Sequence, residues 1–114
     1  MTVAVSISRL ARLVGASPRA LRYYEDVGLL RPLRTGNRAR VYPPDQCAMA
    51  KEIVRLRSLD ISVEDIRDVL DPGRSAQARA DLLTQVLARR GAELEAKSRA
   101  VRQAMQAVLE ASPG

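Results

Sequence analysis

Histidine is absent from these 114 residues, cysteine occurs once, at Cys47, and the only aromatic residues are three tyrosines. One thiol cannot form an intrachain disulfide. With no imidazole to join it, a zinc finger or Cys/His metal cluster is excluded by counting. Also missing are paired carboxylates in an apolar setting and a phosphate-cradling glycine loop, so the sequence does not read as an enzyme. No metal and no cofactor are expected. No stretch approaches the roughly 18 consecutive apolar residues of a membrane span. The beginning, MTVAVSISRLARLV, lacks a charged n-region followed by a long apolar run. The expected location is therefore the cytoplasm, with no membrane partner.

What is present is positive charge. Lys and Arg number 19 against 13 Asp and Glu, a formal charge of +6 with a pI near 10.4. That balance favours an anionic partner, nucleic acid first and a membrane surface second. The length allows one ordinary domain, or a smaller domain with an extension.

Leu10, Ala11 and Val14 share one face of a short helix that Gly15 stops. Ser17-Pro18 then reads as an N-cap followed by proline at the first helical position, where its missing N–H costs nothing. The second helix runs to about Val27 and ends at Gly28. Between Pro32 and Pro43, Thr35-Gly36-Asn37 supplies turn chemistry, and the flanks 33–34 and 39–42 suit a short hairpin. A third helix runs from Asp45 to about Leu59, with Ile53, Leu56 and Leu59 buried, and Asp60 makes the reversal. Ser62 and Asp65 form a capping box for a fourth helix, Val63 to Leu70, with Ile66 and Leu70 inward. Asp71-Pro72-Gly73 breaks the chain.

From Ser75 to about Ala111 the composition predicts one helix, on the order of 50 Å long at 1.5 Å per residue. Leu87, Leu94, Val101 and Val108 recur every seven positions, with Leu83, Val86 and Met105 alongside. Heptad spacing suits a coiled-coil seam better than a globular face. The expected fold is mainly α: a winged helix-turn-helix DNA-binding domain over 1–72, then a dimerisation helix over 73–114. The expected dimer contacts are Leu83, Leu87, Leu94, Val101, Met105 and Val108.

The run LRYYEDVGLLRP, together with Ile7, Leu10-Ala11, Val14-Gly15, Arg34, Arg40, Tyr42, Leu56-Arg57 and Ile66, resembles the MerR family of bacterial transcription regulators. The resemblance extends in order over residues 7 to 70. It implies a homodimer joined by an antiparallel coiled coil, bound to double-stranded promoter DNA at a pseudo-palindromic operator. It further implies a distorted duplex that acts on RNA polymerase indirectly. The DNA contacts so implied are Ser17, Arg19, Arg22 and Tyr23 on the second helix, and Arg34, Arg38 and Arg40 in the wing. Tyr42, which either touches DNA or packs the wing, and Arg57 on the third helix complete the set. Arg22 either pairs with a guanine or clamps a phosphate. Tyr24 is expected inward.

Four positions, in three places, depart from the family's pattern. Arg38 and Ala39 stand where the wing has glycine and an aromatic residue. Asp60 stands where the reversal has glycine, and Ala50 replaces a larger apolar residue. The cysteines of metal-sensing and redox relatives are missing, and the sequence ends at Gly114 without the loop or domain that other relatives append. Cys47 reads as a small filler. A small-molecule effector, a protein partner or no ligand all stay open. The rival reading is an excisionase-like or architectural DNA-bending protein, against which the long helix counts.

Overall fold

The computed structural model describes residues 3–113. They fall into two compact units, residues 1–67 and 68–114 by number. The first is built from β1 (Val5–Ser6), α1 (Ile7–Val14), α2 (Pro18–Asp26), β2 (Leu33–Arg34), β3 (Arg40–Tyr42) and α3 (Pro44–Ser58). The short α4 (Val63–Val69) crosses the division, and α5 (Ala76–Ala111) forms most of the second unit.

Serines set the starts of four of the five helices among the described residues. Ser6, Ser17 and Ser75 cap α1, α2 and α5, each hydroxyl accepting from the backbone N–H three residues on. Ser62 does the same for Asp65 at the start of α4. Each bond satisfies one of the orphan N–H groups of a first turn. α1 ends in a left-handed Gly15, whose N–H returns to the Ala11 carbonyl at 3.0 Å. Between α1 and α2 lie only three residues, a tight helix-turn-helix.

The wing is three-stranded, in the order β1-β3-β2 and antiparallel throughout. Val5 pairs with Tyr42, and Arg34 with Arg40. β1 was not expected from the sequence: it is two residues long and runs straight into α1. It supplies the third strand that a lone hairpin lacks, since two strands alone are marginal in water. At the tip, the Arg38 N–H donates to the Thr35 carbonyl at 2.8 Å, and the Thr35 N–H to Ala39 at 3.0 Å.

α1 packs against α2, α3 and β3, and β3 also meets α3. Leu10, Leu21, Leu30, Tyr42, Ile53, Leu56 and Ile66 are fully enclosed. Two expectations fail here. Leu59 is exposed, because α3 stops at Ser58 and Leu59 takes the C-cap position, where the chain leaves the apolar stripe. Leu70 lies past the end of α4 and is half-buried, while Val69 is the enclosed residue. Asp60 adopts φ 60°, the left-handed conformation its reversal requires. Asp tolerates that region better than most residues.

Every described residue from 91 to 113 is exposed. The apolar stripe of α5 is exposed over this stretch. Exposure along it reaches 46% at Leu94 and 67% at Val108.

Candidate nucleic-acid interface

The turns of α2 separate two faces. Leu21 and Tyr24 point inward, while Arg19, Arg22 and Tyr23 are exposed, Tyr23 by 51%. The tyrosine rings lie 5.9 Å apart at 59°, a tilted pair straddling the boundary of the core. Ser17 spends its lone pair on the Ala20 N–H at 3.0 Å. Its hydroxyl proton is still available to an acceptor, at the helix end whose dipole favours anions. Arg19 and Arg22 are thus presented outward rather than into the core.

In the wing, Arg34, Arg38 and the residues between them are all exposed. Arg38 has φ 67°, where its missing glycine would have been unstrained. Non-glycine residues in that region cost about 1–3 kcal/mol. The tip offsets the strain with its own bonds. The Asn37 side chain accepts from the Ala39 N–H at 3.2 Å and from the Thr35 hydroxyl, and Arg34 Nη1 donates to the Arg38 carbonyl at 3.2 Å. Asn37 therefore does locally what the glycine would have made unnecessary.

Arg40 is placed differently. Its Nε lies 3.1 Å from Glu25 Oε2, with side-chain exposures of 30% and 9%. The two atoms face each other as an ion pair without the alignment of a hydrogen bond. Tyr42 is 0% exposed, so the DNA contact that the sequence left open for it is closed off, and it packs the wing instead. Its hydroxyl is enclosed and has no aligned hydrogen-bond partner among the described residues. Burial first, and the Glu25 carboxylate second, push its pKa up to about 12, against the opposing pull of Arg40 and Arg22. Arg22, Glu25, Arg40 and Tyr42 are therefore one electrostatic group at the joint of α2 and β3.

Arg57 is half-buried and donates from Nη1 to the Ile61 carbonyl at 2.7 Å, bridging the Asp60 reversal. Part of its guanidinium is thus committed to the fold. Sequence reasoning also missed Gln46, whose side chain accepts from the Arg31 N–H at 2.7 Å, and Arg67, which donates to the Val27 carbonyl. Neither tie joins residues close in sequence, and no local spacing announces them. Cys47 is half-buried with its Sγ donating to the Tyr42 carbonyl at 3.4 Å. Burial, then Asp45, push its thiol pKa up, which disfavours the reactive thiolate.

Of the expected seam residues on α5, Leu87, Leu94, Val101, Met105 and Val108 are exposed, and Leu83 is half-buried. Val86, which the spacing set beside them, is buried. No group of three or more His, Cys, Asp or Glu side chains poised for a metal ion occurs among the described residues.

Comparison with known proteins bears on this geometry. The model of a family described as MerR HTH family regulatory protein matches residues 5–72. The Heavy metal-dependent transcription regulator 1 of Rhizobium meliloti is 35% identical over 99 residues, covering 85% of this chain and 67% of the relative. The transcriptional regulator BrlR of Pseudomonas aeruginosa is 41% identical over 64 residues, 54% of this chain but 24% of its own length. Among solved structures, the HTH-type regulator SkgA from Caulobacter crescentus superposes with a TM-score of 0.61 at 30% identity, over 97% of this chain and 81% of that one. HiNmlR, a MerR family regulator lacking the sensor domain and solved bound to promoter DNA, gives 0.66 at 20% identity, over 96% and 93%. At that identity the likeness speaks for the fold.

Proposed function

The chain belongs to the MerR family of helix-turn-helix transcription regulators, and on that premise we propose that it binds a pseudo-palindromic promoter operator as an antiparallel homodimer and holds the duplex distorted. The observation that carries the reading is a division of surfaces. Arg19 and Arg22 on α2, and Arg34 and Arg38 on the wing, are exposed and basic. α5 leaves Leu94, Val101, Met105 and Val108 in solvent. The first set suits an anionic duplex, with α2 in a major groove and the wing over flanking phosphates. The second suits a second copy of the same helix, whose two-fold symmetry would match a palindrome.

In this reading Ser17, Arg19, Arg22, Tyr23, Arg34 and Arg38 form the contact surface, and Arg57 adds its uncommitted N–H groups at a central phosphate. Distorting a duplex costs several kcal/mol, which the phosphate contacts of both protomers repay. RNA polymerase would then respond to the altered promoter rather than to a protein contact. The protein would act on the nucleoid in the cytoplasm; no helix among the described residues is long and apolar enough to cross a membrane. Metal dependence in a relative's name is not carried over: soft-metal sites draw on thiolates and imidazoles, and this sequence offers one cysteine and no histidine.

Genomic footprinting with the purified chain tests the reading. The expected result is a two-fold-symmetric protected site inside a promoter spacer, with enhanced cleavage at its centre where the duplex is distorted. Protection scattered without relation to promoters would favour an architectural DNA-bending role instead.

A further inference from the structure

We propose that Glu25 is a positioning residue for DNA recognition, whose carboxylate locks the wing onto the recognition helix by holding Arg40. The proposal rests on the DNA-binding reading above. It concerns a residue that, by charge alone, ought to hinder that function. Glu25 is three positions after Arg22 on α2, so its carboxylate sits one turn from the surface offered to phosphate. Its side chain is nevertheless nine-tenths enclosed.

A carboxylate withdrawn from water that far is unfavourable unless a cation compensates it. Alternation along β3 sets Arg40 and Tyr42 on the same face of the sheet and Val41 on the other. Arg40 brings its Nε to 3.1 Å from Glu25 Oε2, and the enclosed Tyr42 hydroxyl lies in the same electrostatic group. Arg34 is the register partner of Arg40 across the hairpin. Like charges directly opposite one another destabilise a strand pair. The Glu25 carboxylate relieves that repulsion, and the Arg34 guanidinium is turned along the tip to the Arg38 carbonyl. Arg40 thereby becomes an anchor rather than a phosphate contact. Arg34 and Arg38 are left as the free cations of a wing fixed against α2.

Two opposite signs separate this role from a bystander charge. If Arg40 gripped phosphate, neutralising Glu25 would free it and tighten binding. If Glu25 positions the wing, neutralising it loosens binding despite the more positive surface. The experiment uses the full chain and the operator fragment recovered by footprinting. Glu25→Gln and Arg40→Gln are each expected to lower affinity about tenfold, and the double variant to be no weaker than either, the signature of residues that act as one unit. Protection should disappear over the flanks that the wing covers and persist over the half-site major grooves.

Affinity of Glu25→Gln equal to or above wild type, or simple additivity in the cycle, overturns the proposal. Should either single variant fail to fold, the swap of Glu25→Arg with Arg40→Glu decides. A folded swap that regains flank protection supports the clamp, and a folded swap that does not overturns it. A wild-type chain that protects no fragment overturns both the functional reading and this inference. Binding by wild type with an indifferent Glu25→Gln overturns the inference alone.

Discussion

Leu21 and Leu94 are the same residue type in helices of the same chain, yet the first is fully enclosed and the second 46% exposed. The contrast extends to the units they belong to. Residues 1–67 hold 12 Lys and Arg against 7 Asp and Glu, while 68–114 hold 7 against 6. The N-terminal unit therefore carries almost all of the excess charge and keeps Leu10, Leu21, Ile53 and Leu56 inside. The C-terminal unit is nearly balanced and leaves Leu87, Leu94, Val101, Met105 and Val108 exposed. One unit is finished as a fold and unfinished in charge; the other is the reverse. Under the proposed function each deficit names its partner, a polyanion for the first and a second copy for the second.

Leu94→Asp should break the comparison most severely. Placing a carboxylate at the centre of the seam is expected to give monomers by light scattering and to abolish operator binding, while leaving the N-terminal unit folded. A dimer that survives the substitution would refute the seam. Next comes Ile53→Ala, which empties a fully buried site in α3. It should cost about 2–5 kcal/mol in denaturant unfolding and leave association intact. A loss of dimer instead would show that the two units do not divide their roles in this way.

Charge effects are smaller. Arg22→Ala should weaken specific binding by about 1–3 kcal/mol, a loss that shrinks on unrelated sequences. Arg34→Ala should lower affinity on all sequences alike and reduce the salt slope by about 1. Identical behaviour of the two in a fluorescence titration at several salt concentrations would erase the distinction between helix and wing.

The smallest expected effect belongs to pH. The folded chain holds the Tyr42 proton up to about pH 12, whereas the unfolded chain releases it near 10. Between those values the native state binds the extra proton, so stability is full below pH 10 and falls as pH rises towards 12. Tyr42→Phe should flatten that slope in thermal melts, and an unchanged slope would mean that another group controls it.

How much of this was readable in the sequence depends on the range of each interaction. Ser17 and Pro18 announced the start of α2, and Ser62 with Asp65 that of α4, because a cap bonds three residues away. The heptad run from Leu87 to Val108 announced an exposed stripe, because periodicity on a helix needs no knowledge of what lies opposite. β1 was illegible for the opposite reason: two residues make a strand only where β3 already offers an edge. Arg34, Arg38, Arg40 and Arg57 looked interchangeable as wing and helix cations, and the fold separated them. Arg40 is taken by Glu25, and part of Arg57 by the Ile61 carbonyl.

The sequence by itself thus determined most of the helix starts, the family and the excess of positive charge. All three are properties of spacing and composition, written within a few residues of one another. Only the tertiary structure decided which charges are exposed and that Tyr42 is enclosed. Glu25 and Arg40 are fifteen positions apart and meet because the register of β3 against β1 and β2 points one arginine at α2. An ion pair of that kind depends on where a sheet turns its faces, which no local pattern encodes.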